Sequence, residues 1–268
     1  MSATQKGSLI CIGTGMMLGG HLTPRARSAM QHADVVFLAV SHPVVEKWLE
    51  SLHPDVRSLQ DCYQPGVPRD HAYQKMVNMI LHAVGQGQKV CAAFYGHPGV
   101  FACVAHRAID AARKAGVQAT MEPGISAADC LYADLGIDPG KTGCQHYEAT
   151  QFLFYRRIVD PAAYLILWQV GIVGDATHAR LVTGTTEREC LLRKLRRVYP
   201  EDHPLTIYEA ATLPLITCRQ DTVALKNIVT ADFNQHSTLV IPPIAVCQPD
   251  NEMRQMLEKA GDTQQNWQ

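Results

Sequence analysis

Along residues 8–122, short β-branched runs alternate with segments whose apolar positions recur every three or four residues. SLICIG (8–13), DVVFLAV (34–40), KVCAAFYG (89–96) and VQATME (117–122) read as strands. PRARSAMQHA (24–33), HPVVEKWLESL (42–52), RDHAYQKMVNMILHAVGQG (69–87) and ACVAHRAIDAARKAG (102–116) read as helices. The strands are continuously apolar instead of alternating, which is the pattern of strands covered on both faces. A βαβα order with such strands predicts a parallel sheet with helices on either side.

Beyond residue 135 the pattern changes. GIDPGKTGCQ (136–145) is dense in Gly, Pro and Lys and reads as a linker. After it come AAYLILWQV (162–170), HPLTIYEA (203–210), PLITCRQ (214–220), TVALKNI (222–228) and HSTLVIPP (236–243), with one strong helix at TERECLLRKLRRVY (186–199). Several of these runs are separated by turn-length gaps, which predicts a mixed sheet. The expected organisation is α/β throughout: an N-terminal domain over 1–135, the linker, a C-terminal α/β domain over 146–247, and a polar tail over 248–268 with one surface helix near EMRQMLEKA. A cleft between two such domains is the expected ligand site.

Composition narrows the function classes. The 268 residues carry 24 Lys plus Arg and 25 Asp plus Glu, a formal net charge of -1 with no long run of one sign. That disfavours a nucleic-acid partner, which usually leaves a basic footprint. Nine cysteines are scattered singly with no C-x-x-C spacing, so no metal site is expected, and their odd number fits a reducing cytoplasm. The start, MSATQKG, has no apolar targeting core. The longest apolar stretch, AAYLILWQVGIVG (162–174), is too short to span a bilayer.

Three loops at predicted strand ends carry candidate chemistry. Gly13-Thr14-Gly15 invites a dinucleotide reading, but the third glycine of G-x-G-x-x-G would fall at Leu18, and Asp34 precedes the second strand instead of ending it. It reads as a tight strand-to-helix turn. YGHPGVF (95–101) follows the third strand and offers a close backbone approach, as a ligand pocket requires; a plain structural turn fits it equally well. MEPGISA (121–127) places Ser126 as an N-cap, with Glu122 as a rim charge. A fourth stretch, CYQPGVPRDHAY (62–73), sets Tyr63 and Tyr73 around Arg69, with Arg69 and Tyr73 four positions apart at a helix entrance. On spacing alone these are either first-turn residues with a core aromatic, or a convergent polar set. Trp168, Phe152, Phe154 and Tyr155 read as core or interface, and RKLRR (193–197) as a solvated helix face.

Together, ICIGTGMMLGGHLTPRA, YGHPGVF, MEPGISA, DLGIDPG and HSTLVIPP resemble the tetrapyrrole methylase superfamily, class III methyltransferases that bind S-adenosylmethionine between two α/β domains. The chain departs from the porphyrin and corrin methylases in carrying MMLGGH where they usually have Gly-Pro-Gly-Asp. Tyr63, Arg69 and Tyr73, with YGHPGVFACV, ADLGIDPG, YEATQF and LILWQV, resemble the borosin peptide backbone α-N-methyltransferases, particularly the bacterial split type. The resemblance implies Arg69, Tyr73 and Tyr95 as catalytic, with Tyr63 beside the substrate amide. It also implies S-adenosylmethionine against Tyr95, His97, Val100, Cys103, Gln169, Tyr208, Ser237 and Thr238. It further implies a separate precursor peptide with a leader, and a homodimer that makes a heterotetramer with two precursors. Tetrapyrrole or RNA ribose methylation, and a catalytically silent peptide-binding module, remain open alternatives.

The chemistry explains why such a set is needed. An amide nitrogen is a poor nucleophile because its lone pair is delocalised into the carbonyl. Methylation has to remove the N–H proton and hold the charge that develops on oxygen. A phenol ionises near pH 10, and a guanidinium within ~4–6 Å is expected to lower that by roughly one to three units. Tyr73, assisted by Arg69, is the expected proton acceptor, with Tyr63 or Tyr95 donating to the carbonyl oxygen.

Overall fold

The four apolar runs of the N-terminal half form parallel strands: β1 (Ser8–Gly13), β2 (Val35–Ala39), β4 (Lys89–Phe94) and β5 (Gln118–Glu122). The structure is a computed structural model that describes residues 7–40, 42–64, 67–177, 180 and 182–259. A fifth strand, β3 (Val56–Ser58), is only three residues long, too short to leave a periodic signal in the sequence. The order is β3-β2-β4-β1-β5, parallel throughout. Helices α1 (Pro24–Gln31), α2 (Pro43–Glu50), α3 (Arg69–Gly85) and α4 (Cys103–Lys114) cover it.

Burial explains the continuous apolar runs. In β2, Val35 and Phe37 enter one core with Met76 and Ile80 of α3 and Ala108 of α4, while Val36 and Leu38 enter a second with Met30 of α1 and Leu49 of α2. Successive side chains point to opposite faces, so both sets have to be apolar. Each such burial contributes about 1.5–3 kcal/mol.

A second sheet follows: β6 (Cys144–Glu148), β7 (Tyr164–Trp168), β8 (Pro204–Glu209), β9 (Arg219–Ala224) and β10 (Thr238–Ile241), in the order β6-β7-β10-β8-β9. It is mixed, since β6 and β7 are parallel while β10 runs antiparallel to β7 and β8. Helices α5 (Ala127–Leu135), α6 (Pro139–Thr142), α7 (Ala149–Phe154), α8 (Thr185–Leu195) and α9 (Asn251–Lys259) complete the fold.

The segment 136–145, read as a linker, holds regular structure: Asp138 accepts from the Gly140 N–H and starts α6 with Pro139 in its first turn, and β6 begins at Cys144. The separate strands expected at 214–220 and 222–228 are one strand, β9, across their junction, followed by a short 3₁₀ turn at Leu225–Asn227. β9 is an edge strand paired with β8 alone and carries exposed polar residues, so its apolar signal is weak. The surface helix of the tail is α9; residues 260–268 of that tail lie outside the described residues.

The carboxyl ends of β1, β4 and β5 come together at three glycines. A Cβ on Gly13 would stand 2.7 Å from Gly124 Cα and closer still to the Gly96 carbonyl oxygen, and a Cβ on Gly124 would stand 2.7 Å from Gly13 Cα. Gly15 and Gly96 bridge the two loops, with N to O distances of 3.1 and 2.9 Å. Ser126 closes the same edge with a capping box, its hydroxyl receiving the Ala128 and Asp129 N–H groups while Asp129 receives the Ser126 N–H.

Candidate functional site

The helix entrance read from the sequence opens onto a cavity of about 1520 Å³, lined from both sheets. Arg69 starts α3, and Tyr73 follows one turn later on the same face. Tyr63 leaves the short turn after β3, and its ring meets Tyr73 edge-on, centroids 6.3 Å apart at 82°. The Arg69 guanidinium carbon lies 5.8 Å from the Tyr63 ring centroid, and Arg69 Nη2 donates to Gln235 Oε1 at 3.3 Å. Tyr95 enters from the end of β4. Tyr63, Arg69, Tyr73 and Tyr95 all line the cavity.

Burial pushes the Tyr63 phenol well above its ordinary value, and the neighbouring Tyr73 adds to the rise while Arg69 pulls the other way. Tyr95 is raised for the same reasons in the same order. At these two phenols desolvation disfavours the charged form more strongly than Arg69 favours it. The neutral phenol is therefore the favoured form of both.

Of the positions implied for a cofactor, Tyr95, His97, Val100, Cys103, Gln169, Tyr208 and Thr238 line this cavity. Ser237 does not. Its side chain is fully buried and its hydroxyl donates to Glu209 Oε1 at 2.7 Å, because the partly buried carboxylate takes every donor near it. His97 Nδ1 accepts from the Gly99 N–H at 2.9 Å and so fixes the turn of its own loop. Tyr208 Oη donates to Asp134 Oδ2 at 2.7 Å across the two halves of the chain. Burial raises the Cys103 thiol, with Arg107 opposing. Glu122, largely covered, pairs with the exposed Arg25 at 2.9 Å.

Other cavity residues were not legible in the sequence. Trp168, read there as core or interface, is buried yet lines the cavity, where Phe101 packs on it with ring centroids 5.7 Å apart. Trp168 Nε1 donates to His146 Nδ1 at 3.0 Å, so a neutral His146 carries its proton on Nε2 and donates to Tyr132 Oη at 2.6 Å. Among the described residues, Phe101 (φ 51°) and Gln169 (φ 57°) are the non-glycine residues with positive φ, and both line the cavity. Left-handed backbone costs an ordinary residue about 1–2 kcal/mol, and such strain concentrates at ligand sites. Glu209, Arg219, Gln235 and His236 complete the wall on the second sheet's side. No group of three or more His, Cys, Asp or Glu among the described residues is arranged to hold a metal ion. No helix among them is long and apolar enough to cross a membrane.

Known proteins bear on this arrangement. The chain is 36% identical over 263 residues to the methyltransferase/ribosomally synthesized cyclic peptide gymnopeptides precursor gymMA1 of Gymnopus fusipes, covering 96% of this chain and 63% of that protein. It is 34% identical over 267 residues to the methyltransferase/ribosomally synthesized type I borosin cyclic peptide precursor ceuMA2 of Cerrena unicolor, covering 98% and 65% respectively. The chain thus spans just under two thirds of the length of these relatives. Among solved structures, a cobalt precorrin-4 methyltransferase superposes with a TM-score of 0.63 at 15% identity over 88% of this chain and 94% of that one. A uroporphyrin-III-C-methyltransferase from Thermus thermophilus gives 0.61 at 18% identity over 88% and 92%; at such identities the likeness shows the fold. The profile of the tetrapyrrole (corrin/porphyrin) methylases matches residues 8–224. That span runs from β1 through β9, the whole first sheet and all of the second but β10, and the chain belongs to the tetrapyrrole methylase family.

Proposed function

We propose that this chain is an S-adenosylmethionine-dependent methyltransferase that α-N-methylates backbone amides of a separate ribosomal precursor peptide, as in borosin biosynthesis. The observation that carries this is the convergence of Tyr63, Arg69, Tyr73 and Tyr95 in one cavity of about 1520 Å³. That volume exceeds the ~300–1,000 Å³ typical of a single small-ligand site, so it accommodates a methyl donor and a length of extended peptide together. Relatives whose names join a methyltransferase to a cyclic peptide precursor support the substrate class.

The residues present fit the donor. Tyr95 and Trp168 bring aromatic rings, which attract a cation such as a sulfonium, Val100 adds apolar surface, and Gln169 and Thr238 offer polar groups. When bound, S-adenosylmethionine supplies an electrophilic methyl group. The chain's own residues do the rest. Tyr73 reacts as the phenolate, its charge offset by the Arg69 guanidinium one helical turn earlier, and its Oη takes the N–H proton and becomes a neutral phenol as the nitrogen gains the methyl group. Tyr63 and Tyr95, kept neutral by burial, donate to the carbonyl oxygen as it gains charge. The walls hold nitrogen in line with the donor, which is where much of the acceleration of a two-substrate reaction originates. We place the substrate on a second molecule and the enzyme in a homodimer.

The test is incubation of the chain with a leader-bearing peptide and S-adenosylmethionine, followed by fragment mass spectrometry. The expected result is a ladder of single-methyl additions assigned to backbone nitrogens. Label on a porphyrinoid or an RNA, with none on peptide, would overturn the proposal.

A further inference from the structure

Two cavity residues have no part in the chemistry above: Gln235 and His236, on the turn that enters β10. Glu209 at the end of β8 holds this turn in place. Asn234 Nδ2 donates to Glu209 Oε2 at 2.7 Å, Ser237 Oγ donates to Oε1 at 2.7 Å, and Arg219 Nη1 donates to Oε1 at 2.8 Å. The His236 N–H is fixed in turn by Asn234 Oδ1 at 2.7 Å. From this anchored turn, Gln235 reaches across the cavity to Arg69 on α3. The other end of the same amide, Gln235 Nε2, lies 3.1 Å from His236 Nε2.

The chemistry of these groups leaves one arrangement. A guanidinium only donates, so the end of the Gln235 amide that faces Arg69 is its oxygen. The end that faces His236 is then the NH₂, also a donor only. His236 Nε2 must accept, so the ring is neutral and carries its proton on Nδ1. A second proton on His236 would set N–H against N–H and place a new cation beside Arg69. The charged groups that face this ring are Arg69 from α3 and Glu209 from β8. Burial favours the neutral ring, Glu209 opposes it and Arg69 favours it, with a net shift below the ordinary imidazole value.

We propose that Gln235 and neutral His236 are positioning residues that hold Arg69 over Tyr63, and that protonation of His236 releases Arg69 and weakens the site. The kinetic consequence rests on the peptide methylation proposed above; the tautomer and the Gln235 contact do not. The sign follows from the hydrogen bonds, since only the neutral ring accepts from Gln235: activity is full above about pH 6.5, the unperturbed imidazole range, and falls as pH drops below it.

His236→Leu, which removes the acceptor, is expected to lower kcat about tenfold with the KM for the methyl donor changed by less than about twofold, the size of one lost hydrogen bond. His236→Gln presents an amide oxygen near the Nε2 position; it is expected to recover most of that loss and to lack the acid limb. An acid limb unchanged in His236→Gln, or an undiminished kcat in His236→Leu, would overturn the kinetic role. Long-range ¹H–¹⁵N spectra of the full chain decide the geometry without any turnover. One imidazole, absent in His236→Gln, should show the Nδ1–H tautomer, and its Nε2 resonance should move in Gln235→Leu. An Nε2–H tautomer, or no shift in Gln235→Leu, would overturn the relay. If no peptide is methylated by the native chain, the functional proposal fails, and these spectra still decide the positioning.

Discussion

Tyr73→Phe is expected to slow methyl transfer to a peptide amide by about 10²–10⁴-fold, the usual contribution of a positioned acid or base. Binding of S-adenosylmethionine, measured by calorimetry, should change by less than about twofold. The substitution keeps the ring that meets Tyr63 edge-on, so the shape of the cavity survives and only the oxygen that takes the proton is lost. Arg69→Ala is expected to be as severe, because the guanidinium over Tyr63 and the bond to Gln235 disappear together. The two losses should not add, since both residues act on the same proton transfer. Undiminished turnover in both variants would remove the proposed chemistry.

Gly13→Ala is expected to cost about 3 kcal/mol or more of unfolding free energy, lowering Tm by roughly 6–12 °C. The new methyl group would meet the backbone of Gly124 at 2.7 and 2.9 Å and the Gly96 carbonyl more closely still. Backbone atoms in three strand-end loops have no rotamer to change, so the loops themselves must part, and these are the loops that form the cavity floor. Gly85→Ala is the control, because a Cβ there meets nothing within 4 Å at the end of α3. It should stay within about 1 kcal/mol of the native chain or stabilise it slightly. Thermal unfolding of both variants checks the contrast; equal midpoints would show that the three-glycine contact does not constrain the fold.

The first sheet was legible because it is buried on both faces, so Val35 to Leu38 had to be apolar without a break. The Gly13-Thr14-Gly15 turn was legible for a related reason. Gly15 has φ 74° and no room for a Cβ beside His21, as a tight strand-end turn requires. Arg69 and Tyr73 were legible as a pair because four residues of helix fix their common face. What escaped was set by tertiary contact. β3 is too short for any period, and the edge strand β9 faces solvent, so its sequence is free to be polar. Gln169 and Phe101 hold positive φ with no glycine to announce it. Gln235 meets Arg69 across more than 160 positions of chain with His236 behind it, and nothing in their own neighbourhood signals that contact. Ser237 sits beside the cavity-lining Thr238, and its hydroxyl is bonded to Glu209, a contact its own neighbourhood in the sequence does not announce.

A crystal structure of the chain with S-adenosylhomocysteine and a peptide substrate is the most direct measurement. It should place the cofactor sulfur and one backbone amide together in the cavity, with the amide nitrogen within hydrogen-bond reach of Tyr73 Oη and its carbonyl oxygen within reach of Tyr63 or Tyr95. A cofactor bound away from the three phenols, or a peptide whose amide nitrogens point away from Tyr73, would contradict the proposed function.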